Sequence, residues 1–448
     1  MKNTNSWKNA FTGAVSLLLA AMTTWTPAAT QTVVVPLHGV TPVLTPVTIN
    51  NSAGDQFDPH ISGNWVSYTS DAGLRYYNFA TGIDAAIPMG PSSNDLLSDI
   101  SGSKIVFSRV ITGVKTAVMV FDAATPAAAP IEIDPAASTT RIGGAIGGNT
   151  VAYIDYGFQS NGEVVIHDLA SSVSTRITND TEVDWNPNVS PDGNVVVWEH
   201  CPTSLSNCDI WRAVKSGSAW SVSVVANSSS PEGNPDTNGT LVVYDSRRGS
   251  NPEGIFWRAA GGGEFQLLLT GWAYNPSIAG NFIAFESRAT QFVNGDIFVY
   301  DIAANKLYQI TDTSSVDEHL NNITQLPNGD LRVVWSSDED GIDSRNVKGA
   351  TFSLPSATPS PTDLLQQLID AVAALNLSHG IANSLDAKLE NANAALLAAR
   401  SGDASSACGI LGAFISEVQA QSGKALTSQE ATQLINLANQ VRAGLGCA

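Results

Sequence analysis

The chain has 448 residues and a formal net charge of −19, from 22 Lys and Arg against 41 Asp and Glu. So acidic a surface repels phosphate backbones and anionic bilayers, and the few basic residues form no patch, which excludes nucleic-acid binding. The length allows one large domain and a small second one.

Residues 1–29 read as an export signal. Lys2 and Lys8 give a weakly basic start, Ala10 to Met22 is an apolar run, and TWTPAAT follows. The run is too short for a bilayer span and has the length of a signal core. Cleavage is expected after Ala28 or Ala29, a retained anchor being the alternative. No cysteine stands there to carry a lipid. No membrane span is expected after removal of the signal, and the expected location is secreted or periplasmic.

One unit then recurs seven times. It reads DPHISGNWVSYTSD from Asp58, SDISGSKIVFSRV from Ser98, GGAIGGNTVAYIDYG from Gly143 and NPNVSPDGNVVVWEH from Asn186. It continues as NPDTNGTLVVYDSRR from Asn234, NPSIAGNFIAFESR from Asn275 and NNITQLPNGDLRVVWSSD from Asn321. Pro187 and Pro235 are 48 residues apart, Pro235 and Pro276 are 41 apart. A period in the forties fits propeller blades or helical repeats, and short apolar runs of period near two between Gly, Asn and Asp turns select blades. In the sixth unit Ser277–Ala279, Phe282–Glu286, Asp296–Asp301 and Leu307–Thr311 read as four antiparallel strands. The expected fold is an all-β seven-bladed β-propeller with a small C-terminal four-helix domain. A six-bladed ring with one displaced unit is the alternative.

The seventh unit lacks an outer strand before the chain turns Pro-rich. PVTINNSAGDQFDPHIS, from Pro46, resembles TRITNDTEVDWNPNVS, which joins the third unit to the fourth. Val47 to Ile49 are therefore expected to supply the missing strand and seal the ring.

These repeats, above all the fourth with its intact SPDG, resemble those of TolB-like propellers over residues 46–355. The resemblance implies a platform for protein or glycan binding. Other propellers of this shape are lyases or accompany peptidases and hydrolases. No GxSxG elbow and no second catalytic domain of peptidase size is present, so no catalytic residue is assigned.

The four cysteines pair most simply as Cys201 with Cys208, framing PTSLSN, and Cys408 with Cys447. Residues 356–362 form a Pro/Ser-rich linker. Over 363–448 the period becomes helical. Leu364, Leu365, Leu368, Ile369, Val372 and Leu375 share a stripe. Further helices are expected from Ala382 or Ser384 to Arg400, from Ala404 to Gln421, and from a capping box at Thr427 and Glu430. GIANSLDAKLENANAAL and the stretch from Leu411 to Val441 resemble a helical module appended to many secreted bacterial proteins, which implies export and names no activity.

By repetition, the turns before the inner strands share one face of the disc. Residues with chemistry there include Asp58 and His60, Asp184 and Trp185, Trp272 and Tyr274, and Glu318 and His319. Asp55, Asp95, Asp99, Glu182, Glu232 and Asp317 stand beside them. The aromatics would stack on sugar rings or take a peptide. The acids with His60 and His319 would hold calcium or another divalent cation. Structural roles compete for all of them, since Asp and Asn beside Pro are turn residues. No other cofactor is expected. A lyase of the oligogalacturonate type would cluster histidines around a metal, using His60, His167, His200 and His319, but the third-strand position of His167 argues against a common cluster. DEDG at Asp338 lacks the remaining ligands of a calcium loop. The expected function is a non-catalytic platform binding an envelope or extracellular protein or a glycan. The alternatives are a metal-assisted carbohydrate-active enzyme and a structural component of an assembly.

Overall fold

The computed structural model describes residues 30–34, 42–90, 93–135, 138–249, 252–259, 261–269, 271–290, 294–313, 315–354, 361–373, 375, 377–398 and 405–447. The expected signal and most of the expected linker lie outside them.

Seven sheets form seven blades. Their inner strands are Gln56–Ser62, Ser93–Ser101, Arg141–Gly147, Val183–Val189, Glu232–Thr237, Trp272–Ala279 and Glu318–Gln325, for blades 1 to 7 in turn. Each inner strand contacts the next, and the seventh contacts the first, so the ring is closed. The second strands carry continuous apolar runs because both their faces are covered. Thr150–Asp155, for example, is buried at every position. Each of the seven gaps between blades holds its own apolar cluster. Burying a large aliphatic or aromatic side chain in such a gap is worth about 1.5–3 kcal/mol, which is what stacks blades that could not bury two faces alone.

The closing strand is where the sequence places it. Leu44–Asn50 pairs antiparallel with Asn346–Phe352 as the outer strand of blade 7, with Val47 opposite Gly349. A bidentate ion pair reinforces the seam: Arg345 Nε and Nη2 donate to the Asp55 carboxylate at 2.9 and 2.6 Å. In blade 6 the inner strand begins at Trp272, five residues earlier than expected, because a bulge after Tyr274 lets pairing resume on its far side. A second N-terminal strand was not foreseen. Gln31–Val34 adds to blade 5 parallel to Glu264–Leu268, making that sheet five-stranded.

The C-terminal residues form helices α1 (Pro361–Ala373), α2 (His379–Ala398), α3 (Ser405–Gln421) and α4 (Ser428–Gly444). Their shared core includes Leu364, Leu368, Leu385, Phe414 and Val441. The capping box is formed: Thr427 Oγ1 accepts the Glu430 N–H, and the Glu430 carboxylate accepts the Thr427 N–H at 2.8 Å. Both expected disulfides, Cys201–Cys208 and Cys408–Cys447, are present.

Candidate functional site

Every inner strand breaks register once, near its start. In five blades the break carries a residue at positive φ: Asp58 (56°), Gly143 (67°), Asn186 (48°), Asn234 (49°) and Asn275 (55°). Asp, Asn and Gly tolerate this left-handed backbone better than other residues. Four of the five precede a further motif residue across Pro59, Pro187, Pro235 or Pro276. The bulge turns the side chain after that proline toward the ring axis.

The result is an axial cavity of about 290 Å³ lined by the same register position of all seven blades. That position holds His60, Asp99, Asn188, Asp236, Ser277 and Asn322, with Ala145 in blade 3. A second cavity of about 250 Å³ opens on the opposite face, and Asp99, Asn188, Asp236 and Asn322 line both, forming the waist between them. Among the described residues, the cavity wall carries three carboxylates, Asp58, Asp99 and Asp236, one histidine and no Lys or Arg.

His60 is 24 % exposed to the cavity, with Nε2 3.5 Å from Asp58 and Nδ1 3.5 Å from Asp99. Burial lowers its pKa, but Asp58, Asp99 and Asp236 outweigh that and raise it to about 9. Burial raises Asp99, and burial raises Asp236 to about 6. Both acids also latch blades together. Asp99 Oδ2 accepts the Ile146 N–H at 2.7 Å, and Asp236 Oδ2 accepts the Ile278 N–H at 2.8 Å and the Ser277 hydroxyl at 2.9 Å.

Of the residues singled out in the sequence, Asp58, His60 and Trp185 meet at the cavity mouth, where Trp185 is 52 % exposed. Asp184 points the other way. It is fully buried between blades 3 and 4, and its Oδ1 accepts Trp198 Nε1–H at 3.0 Å and His200 Nδ1–H at 2.8 Å. Trp272 lies under Arg247, at 4.9 Å, and Tyr274 under Arg288, at 5.3 Å. Glu318 is buried near the hydroxyls of Thr313 and Ser337, and burial raises it to about 7. His319 sits 3.9 Å from both Glu286 and Asp317 and is lowered by burial.

The cation set proposed from sequence is therefore not assembled. Among the described residues, no group of three ligating side chains contains both His60 and His319. The one such group is Glu199 with Cys201 and Cys208, whose sulfurs are bonded to each other. His167 bonds Ser174 at 2.8 Å, on a different blade from His60, His200 and His319. The sequence reading named Asp99 but passed over Asn188, Asp236 and Ser277. Their signal was present: each follows an Asn-Pro pair, as His60 follows Asp-Pro.

No protein-family model and no curated protein matches the chain. Among solved structures, it is similar to an oligogalacturonate lyase in complex with manganese, at 13 % identity and a TM-score of 0.52, covering 71 % of this chain and 98 % of that one. It is also similar to a putative TolB from Agrobacterium tumefaciens, at 15 % identity and a TM-score of 0.40, covering 68 % and 93 %. A third is the β-propeller domain of the Trilobed protease from Pyrococcus furiosus, at 12 % identity and a TM-score of 0.49, covering 69 % and 98 %. Identities this low speak for the propeller fold alone.

Proposed function

We propose that this protein is an exported, non-catalytic recognition platform, secreted or periplasmic, whose partner docks over the axial mouth at Trp185. The observation that carries the reading is Trp185 itself, a half-exposed aromatic at the lip of a polar cavity in a rigid ring. Aromatics left open in this way are typical anchors of binding sites. The surroundings agree. Antiparallel strands alternate in direction, so connections into inner strands and connections from second to third strands share one face. Met89, Val114, Phe158, Leu205 and Ile342 all lie on those connections and are all more than half exposed. Exposed apolar side chains on the same face as the mouth would add contact area for a partner docked there.

The test is a pull-down with the processed protein as bait, against envelope extract and a panel of soluble polysaccharides, with divalent cations present and then chelated. The expected result is a retained partner that is lost with Trp185→Ala. A polysaccharide that is retained and then shortened only when metal is present would replace this reading with a metal-assisted enzyme. No retained partner in either pool would favour a structural role in an assembly.

A further inference from the structure

We propose that the guest at this mouth is a basic polypeptide segment, one Arg or Lys of which stacks on the open face of Trp185 while the cavity carboxylates meet its charge. The inference rests on the platform reading and specifies its partner.

The first observation is internal to the ring. Phe57, Trp185 and Tyr274 occupy one equivalent position, immediately before the positive-φ residues Asp58, Asn186 and Asn275. Phe57 is covered by Arg345 at 4.6 Å, and Tyr274 by Arg288 at 5.3 Å. Two further rings on the same face are covered likewise, Trp272 by Arg247 and Phe158 by Arg176. Among the described residues, no cation is recorded over Trp185. The register explains why. Arg288 stands opposite Trp272 in blade 6, and the matching position in blade 4, opposite Val183, is Cys201, which is committed to its disulfide. The fold thus repeats a guanidinium-on-aromatic contact around this rim and leaves the exposed Trp185 ring open to a cation from outside.

The second observation is charge. Beneath Trp185 the cavity wall carries the carboxyl groups of Asp58, Asp99 and Asp236 and one imidazole, that of His60, 3.5 Å from both Asp58 and Asp99. The whole chain carries −19. A low-dielectric concavity of one sign focuses its field on an entering cation. A volume of about 290 Å³ has room for a long basic side chain. The exposed Leu205, on the loop between the second and third strands of the blade that carries Trp185, offers the peptide an apolar contact that a free metal ion or amine would not use.

The experiment uses the processed protein labelled with 5-fluorotryptophan, the Trp185 resonance being assigned with Trp185→Phe. Three probes are titrated: a ten-residue Ser/Gly/Leu peptide carrying two Arg, the same peptide with Glu for Arg, and a neutral hexasaccharide. The expected result is that the Arg peptide alone moves the Trp185 resonance. Its affinity should fall about three- to tenfold in Asp58→Asn, a change the left-handed backbone tolerates, and again on raising salt from about 0.05 to 0.3 M. A Trp185 shift with the Glu peptide or the sugar and none with the Arg peptide would overturn the basic guest and leave the platform standing. A silent Trp185 with all three probes would overturn the basic guest as well. The platform reading then depends on the pull-down, which does not presuppose the chemistry of the partner.

Discussion

Gly147 of blade 3 lies against the Ser190 carbonyl of blade 4, and a Cβ built on Gly147 would overlap that oxygen. The contact seats the SPDG turn on the neighbouring blade. Inside the turn Gly193 N–H donates to Ser190 O at 2.8 Å, and the Thr150 hydroxyl donates to Gly193 O, also at 2.8 Å. The motif most legible in the sequence is thus an inter-blade joint. Gly147→Ala is expected to cost about 3 kcal/mol, read as a lowered midpoint in urea, while Gly217→Ala, at a turn with open space around it, costs less.

A second joint links blades 5 and 6. The Asp245 carboxylate accepts the Asn275 N–H at 2.8 Å and the Asn234 side-chain amide at 2.8 Å. Glu199 does the same between blades 4 and 5, from Asn186 and Asn234. Asp245→Ala leaves buried donors without an acceptor and should cost about 2–4 kcal/mol. Asp245→Asn keeps an acceptor and should cost less, and equal losses in the two variants would refute the joint.

Stability should fall as pH rises. Burial raises Glu232, Asp245, Glu286 and Glu318 to about 7 and Asp236 to about 6. Unfolded, these groups lose their protons near pH ~4. Between these values the folded state holds more protons than the unfolded chain, so stability declines through the window. His60, raised to about 9, extends the decline upward. Glu264 runs the other way. Burial opposes its ionisation, but Arg248, Thr30 and Tyr244 hold it at about 2, so its contribution is lost only in strong acid. Thermal unfolding should give a midpoint at least ~5 °C higher near pH 5 than near pH 8. Glu286→Gln should flatten that slope, and a midpoint that rises toward pH 8 would contradict the assignment.

The two disulfides should differ in worth. Cys201–Cys208 closes a separation of 7 residues and Cys408–Cys447 one of 39. Loop-closure entropy makes these roughly 2.4 and 3.9 kcal/mol. Under reductant, α1 to α4 should therefore lose their circular-dichroism signal before the strands do.

The strand Gln31–Val34 covers the outer edge of blade 5, held by Thr30 Oγ1 donating to Glu264 at 2.6 Å. Deleting residues 30–34 exposes an unpaired strand, a known route to self-association. Faster amide exchange over 264–268 and a larger apparent mass at high concentration are the expected results.

Much of this was legible because it is local. Turn residues fix bulges and hairpins within a few positions, so the seven units, the capping box at Thr427 and the similarity around Val47 all show in the chain itself. Cysteines close in sequence, or alone in their segment, leave few pairings. Even four positions of the axial wall, His60, Asn188, Asp236 and Ser277, were marked by the Asx-Pro pair before them, although their meaning was not.

The sequence by itself determined the number of blades, the strand that closes them and the face on which chemistry gathers, because periodicity and turn chemistry act over short range. Only the tertiary structure decided which of those residues are open. Asp184 and Trp185 are neighbours in the chain, yet one is spent on Trp198 and His200 between blades and the other stands at the mouth. Alternation in a strand sends adjacent side chains to opposite sides. Whether a side then meets a packed neighbour, an arginine or solvent depends on a blade tens of residues away, as with Asp99 and Ile146 or Arg345 and Phe57.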